Sequence, residues 1–300
     1  MSDALIDVAA VTADQSADDQ LATKNISMWR KLGPQFWISV GWIMIVVITG
    51  LTASWLPIQS PTKKDYRALR KGPSVDHWFG TDGVGQDVFA RVVHGSRVSL
   101  AVGLFSVLIA LVVGGGLGLL AGYFRRRTEA VVMTAADGML AFPALVLLLT
   151  LTTFMGATLR NVIIAIGIVM IPSFIRLARA NTLAYSQREF VLAARATGAR
   201  NRRIILREVL PNVILPLMAF SLIIVSIAIV AEGSLSFLGM SVDPRRTPTW
   251  GNIIASGRGD LDKAAHVVFF PAAVMFITVL AFNLAGDRLR EVFDLKEGAL

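Results

Sequence analysis

Six stretches of this chain are apolar for long enough to cross a bilayer, and that limits its fold more than any other feature. A hydrocarbon core about 30 Å thick needs about 20 mostly apolar residues as a helix. The segments are Phe36–Leu56, Val98–Tyr123, one within Ala130–Phe154, Leu159–Leu177, Asn212–Ala231 and His266–Ala285. Backbone polar groups cannot be left unpaired in lipid, so such segments are helices or strands of a closed barrel. Runs of this length exceed what a barrel strand needs, so the expected fold is an all-α polytopic bundle of six transmembrane helices. Gly156 marks a tight turn that joins the third and fourth spans as a hairpin.

Composition agrees: 54% of residues are hydrophobic, only 17% are charged, and the mean hydropathy is +0.62. A net charge of +8 would fit a nucleic-acid binder. The basic residues, however, lie largely between apolar runs, where Lys and Arg set membrane orientation. With the N-terminus inside, the inside segments hold 17 of the 29 Lys and Arg residues, and the densest cluster lies in 176–208. Both termini are therefore expected in the cytoplasm, in a multi-pass protein of the cytoplasmic (inner) membrane, with no nucleic-acid partner. The chain has no cysteine, and its three histidines, His77, His94 and His266, are scattered. That composition excludes disulfides and thiolate chemistry and suggests no metal site. Residues 1–30, rich in Ala and Asp and without a signal-peptide core, are expected to form a disordered cytoplasmic tail.

The second span carries a stripe of small residues: Ser106, Ala110, Gly114, Gly118 and Gly122 recur every four positions. Two nested GxxxG patterns in an apolar helix let another backbone approach closely. A nucleotide-binding glycine loop would need a preceding strand and a βαβ unit, and neither is expected here. Gly114, Gly118 and Gly122 are assigned to helix packing.

Between the fourth and fifth spans, residues 185–212 are too polar to cross. Residues 188–197 have helical periodicity, placing Phe190, Ala193, Ala194 and Thr197 on one face. Gly198 can end that helix by adopting positive φ. A second short helix is expected over Asn201–Val209, capped by Asn201 and followed by a restart at Pro211. By periodicity alone, the stretch is either an amphipathic connector on the lipid surface or a docking surface for a cytoplasmic protein.

The residues here resemble a known family. Ala193-Ala194, three residues, Gly198, then Leu210-Pro211 is similar to the "EAA" loop of ABC importer permeases, whose coupling helix seats in a cleft of the ATPase subunit. Leu192 stands where that pattern has Glu, and Glu208 where it has Ile. The stretch His77–Leu100, Ala141-Phe-Pro143, Ala231–Gly239 and Pro248-Thr-Trp-Gly-Asn252 look like the dipeptide/oligopeptide/nickel group, and specifically its second, C-type permease. The resemblance spans about residues 36–290.

It implies a type I permease fold in which Phe190, Ala193, Ala194, Thr197, Gly198, Leu210 and Pro211 couple to an ATPase. It implies as partners a second homologous permease in a heterodimer, two ATP-binding subunits or domains, an external solute-binding protein and membrane lipid. The chain has no Walker A pattern, so it cannot supply the ATP site itself, and it is expected not to be an enzyme. ATP and Mg would be bound by the partner subunits, with no cofactor in this chain. The implied cargo is di- or oligopeptides, with nickel chelates or another small solute as the alternative. An ion-gradient-driven secondary transporter is the rival class; it would more often show internal repeats, and no clear repeat is present.

The expected organisation is the 1–30 tail, 31–97 as first span plus external subdomain, 98–290 as permease core with the 185–212 coupling loop, and a 291–300 cytoplasmic tail. Asp137 and Glu232 are ionisable residues within or at the end of spans and so candidates for the translocation pathway. The other reading of each is a structural cap or interhelix pair.

Overall fold

The computed structural model describes residues 32–297, and the tail expected over 1–30 lies outside them. The described residues hold helices and no β-strand; an isolated antiparallel bridge joins Thr81 and Asp87. The helices are α1 (Gly33–Thr52), α2 (Val88–Phe124), α3 (Arg126–Leu140), α4 (Ala144–Met155), α5 (Leu159–Tyr185), α6 (Glu189–Ala196), α7 (Asn201–Phe237), α8 (Trp250–Gly257) and α9 (His266–Glu297). Five of them, α1, α2, α5, α7 and α9, are each long and apolar enough to span a membrane.

The sixth expected span is a broken one. Ala130–Phe154 does not form a straight helix; α3 and α4 meet at 89°. The break falls at Ala141-Phe142-Pro143. Pro143 has no N–H to donate, and its ring disfavours the helical region for the residue before it, Phe142. Hydropathy registers apolar length and is blind to this corner.

Two further boundaries differ from the sequence reading. Helix α2 starts ten residues earlier than Val98, because Asp87 caps it: its carboxylate accepts the Ala90 N–H at 2.7 Å. The last part of the expected 57–97 loop is therefore the first turns of α2. At the other end of the chain, α9 continues through Glu297, well past Ala285 and into the expected tail.

The seam between α2 and α5 organises the bundle. Ser106 Oγ donates to the Ile163 carbonyl at 2.9 Å, and Ala110 is fully buried. A Cβ added to Gly114 would lie 2.6 Å from the Ile171 oxygen, and one on Gly122 would lie 2.7 Å from Thr182 Cβ. One on Gly118 would collide with the Ile175 oxygen. The pairing advances in step on both helices, so α2 and α5 run parallel with backbones in near contact. Helix α9 packs on α7, where Asn283 donates to Ser226 Oγ at 2.9 Å, and α1 packs on α9 through Trp42 Nε1 to Thr278 Oγ1 at 3.0 Å.

Among the described residues, two long and largely irregular segments, 53–87 and 238–265, form one cap at the end of the bundle where α2 begins. Arg91 Nη1 donates to Asp82 and Gln86 at 2.6 Å each, and its Nη2 reaches the Pro244 carbonyl. Asp87 also receives His77 Nδ1 at 2.7 Å. Phe79 stacks on Phe270 with centroids 4.4 Å apart. Helix α8 is driven into the bundle by fully buried Trp250, whose indole N–H donates to the Val92 carbonyl at 3.1 Å.

Candidate functional site: the α6 loop

The opposite end of the bundle carries α6. Helix α5 ends at Tyr185, a turn follows, and α6 runs over Glu189–Ala196. Its termination is built as a Schellman motif: the Ala199 N–H reaches the Ala194 carbonyl and the Gly198 N–H reaches the Arg195 carbonyl, both at 3.0 Å. Gly198 sits at φ +80°, a conformation that costs a side-chain-bearing residue about 1–2 kcal/mol. Thr197 Oγ1 closes the turn onto the Ala194 carbonyl at 3.0 Å.

The second short helix expected over Asn201–Val209 is not separate. Asn201–Arg203 is one α turn, Ile204–Val209 is a π turn, and both continue into Leu210–Phe237 as one helix. The last wide bond runs from the Leu210 N–H to the Ile205 carbonyl. Pro211, which cannot donate, therefore falls where the ladder changes step. Asn201 is not the cap either; Arg200 holds that position, and Asn201 Oδ1 accepts from Tyr123 OH at 2.9 Å.

The loop is fixed from beneath. Val191 is fully buried in the same core as Ile204, Ile205 and Val209. Arg195 lies over the Tyr123 ring, 5.4 Å from its centroid, so the end of α2 grips both sides of the loop. The upper face is open: Phe190 is 41% and Leu192 51% exposed, Ala193, Thr197 and Gly198 are exposed, and Ala194 is half-buried. Phe190, Ala193, Ala194, Thr197 and Gly198 thus form one surface. Leu210 and Pro211 do not join it; they lie along α7, beyond the π turn on which α6 packs. The contacts of Tyr123 with Asn201 and with Arg195, which hold the loop, were missed by sequence reasoning. Tyr123 and Asn201 are 78 positions apart, and no local pattern links them.

Neither pathway candidate is isolated. Asp137 accepts Arg176 Nη2 at 2.7 Å across α3 and α5. Glu232 is buried in the bundle, and its Oε1 receives hydroxyls from Ser236, Ser241 and Thr249 at 2.7–2.9 Å. Those bonds tie the end of α7 to the 238–249 loop and to the cap of α8. Among the described residues no group of three or more His, Cys, Asp or Glu side chains could hold a metal ion.

Residues 114–297 match the family described as "Binding-protein-dependent transport system inner membrane component". The chain belongs to that family. It is 37% identical over 283 residues to the glutathione transport system permease protein GsiD of Pectobacterium atrosepticum, covering 93% of each chain. It is 39% identical over 281 residues to the protein of the same name from Escherichia coli O6:K15:H31, covering 93% of this chain and 92% of that one. A chain of the MetNI methionine ABC transporter in an inward-facing conformation shares the fold, with TM-score 0.58 at 21% identity, over 68% of this chain and 97% of that one.

This binding-protein-dependent permease is therefore a multi-pass inner-membrane subunit of an ABC importer, in the dipeptide/oligopeptide/nickel group, with the type I permease fold. It is not an enzyme: ATP hydrolysis falls to separate subunits. Membership implies a partner permease, ATPases and a binding protein in general terms, and it sets aside the ion-gradient alternative.

Proposed function

We propose that this permease, with a second homologous permease as a heterodimer, passes peptide-like solutes inward across the cytoplasmic membrane. An external solute-binding protein delivers the solute. Two ATP-binding subunits or domains, which hold ATP and Mg, drive the cycle. The α6 end faces the cytoplasm, with both termini on that side and the 53–87 and 238–265 caps outside. The basic cluster around α6 supports this orientation. The similarity to permeases named for glutathione, itself a tripeptide, supports the solute class.

One observation carries the coupling role: the α6 face is rigidly held yet covered by nothing in the described chain. Phe190, Ala193, Ala194, Thr197 and Gly198 seat against the ATPase, and the small side chains let its surface come close. Leu210 and Pro211 act from beneath, by setting how α7 leaves the loop. The motion of the ATPases enters the bundle through Val191, Arg195 and Tyr123, the residues that bind α6 to α2 and α7.

The test is Ala194→Asp. It places an unpartnered charge in a close contact, which is costly to bury, and touches no span. Insertion and thermal stability should be unchanged, while uptake of labelled di- and tripeptides and glutathione falls at least about tenfold and the ATPases detach or hydrolyse without regard to the binding protein. Normal uptake with ATPases still attached would reduce α6 to a surface connector. Absence of peptide uptake by the unchanged complex would remove the solute class alone.

A further inference from the structure

The α3–α5 face holds two ion pairs of different character. Glu129 meets both Nε and Nη2 of Arg179, with side chains only 25% and 31% exposed. This pair lies near the α6 end and staples α3 to α5. Asp137 and Arg176 meet through a single contact, with side chains 57% and 54% exposed. Among the described residues the second carboxylate oxygen and the other guanidinium nitrogens have no partner. The staple is already in place, so the second pair is not needed for that purpose.

Its depth matters. Arg176 lies about 13 Å from the end of α5 and Asp137 about 16 Å from the start of α3, at 1.5 Å per residue. Asp137 continues a stripe of α3 with Ala130, Thr134 and Ala141, at spacings of four, three and four, and all four are exposed. The stripe is small and polar, whereas α1, α2, α4 and α7 expose many large apolar side chains, among them Ile38, Leu104, Val146 and Ile227. Charges at membrane depth turn toward water-filled cavities or protein, because lipid penalises them.

We infer that this stripe is a wall of the translocation pathway, and that Asp137 and Arg176 form a station for zwitterionic solutes. The solute's carboxylate meets the Arg176 guanidinium, whose fork accepts two oxygens, and its ammonium meets Asp137. Exchanging one internal ion pair for two ion pairs with the solute leaves no charge unpaired, so opening the pair does not incur the large cost of a lone buried charge. The assignment makes Arg176, which no sequence pattern singled out, a specificity-determining residue. It rests on the peptide-like solute class proposed above.

The experiment has two arms, both on the assembled transporter in nanodiscs. This chain contains no cysteine, so single cysteines can be placed without background from it. Thr134→Cys should react with a charged, membrane-impermeant thiol reagent at least about tenfold faster than Ile38→Cys on the peripheral α1. Equal, slow labelling would mean that lipid or the second permease covers the stripe, and would overturn the wall. In the second arm, Arg176→Gln and Arg176→Lys are compared for uptake of a dipeptide and of its C-terminally amidated form, with the same binding protein throughout. Arg176→Gln should slow the free-carboxylate peptide about tenfold, the scale of one charge-assisted hydrogen bond, and leave the amide nearly unchanged. Arg176→Lys should recover part of the difference. Equal loss for both peptides with ATPases still bound would mark the pair as structural, and no loss for either would overturn the station. If the unchanged complex moves no peptide at all, the solute class falls with the function proposed above, while the labelling arm still decides the wall.

Discussion

The α2–α5 seam and the α6 face are both stripes of small residues, and they end up in opposite conditions. Along the seam, Gly114, Gly118 and Gly122 are closed against the backbone of α5, with no room for a methyl group. On α6, Ala193, Thr197 and Gly198 look outward, and a Cβ on Gly198 would meet nothing within 4 Å. A run of small side chains therefore signals that another surface can come near, and says nothing of whether it belongs to the same chain. In the seam, the partner is 57 residues further on and already in place. On α6, the chain supplies the floor, and among the described residues nothing covers the top.

The largest effect should come from breaking the seam. Gly118→Leu drives a side chain into the Ile175 carbonyl and Ala178, both on a helix that cannot retreat without opening the core. Overpacking of this kind costs about 1–3 kcal/mol and sometimes more. The expected outcome is a chain that inserts yet yields little assembled complex, measured by co-purification and by thermal melting. Normal yield and melting would show that α2 and α5 can separate, and the contrast with α6 would dissolve.

A smaller effect, of a different kind, belongs to Gly198. Gly198→Ala meets no neighbour, so its cost is the positive φ alone, about 1–2 kcal/mol, confined to the end of α6. Gly198→Val adds a branched side chain on the open face as well. Both variants should assemble. Uptake should fall modestly for Ala and sharply for Val, with ATPase activity no longer answering to the binding protein. Equal loss in the two would show that backbone shape matters and that bulk on the face does not.

The smallest effect sharpens the comparison within one helix. Gly116 lies in the same glycine run as Gly114 but has nothing within 4 Å of an added Cβ. Gly116→Ala should therefore be neutral or stabilising by up to about 1 kcal/mol from helix propensity, while Gly114→Ala, 2.6 Å from the Ile171 oxygen, should destabilise. Melting temperatures of the two complexes check the sign.

Much of this was legible in the residues. Apolar runs located the membrane-crossing helices, because lipid penalises any break in them, and the spacing of Gly198 after Ala193-Ala194 identified the loop and its turn. The boundaries were less legible where a cap or a proline sets them. Val88–Arg97 reads as loop because it is polar, yet Asp87 caps a helix there and Arg91 is paired within the cap. Ala130–Phe154 reads as one span because its composition is continuous, yet Pro143 turns it by 89°. Glu232 and Asp137 look alike as ionisable residues in spans. Three hydroxyls from the 236–249 segment enclose the first, and one half-exposed arginine meets the second.

The sequence by itself determined that the chain crosses a membrane several times as helices, that α2 offers a face for close packing, and that a polar loop with a small-residue face follows the fourth span. Each of these depends on periodicity or length along one segment, where the solvent acts on neighbouring residues together. The tertiary structure alone decided that α5 fills the α2 face, that Tyr123 and Arg195 pin α6, and that Arg176 stands beside Asp137 on an open stripe. Those contacts join residues 39 to 78 positions apart, and only the packing of whole helices brings such residues to within a hydrogen bond of one another.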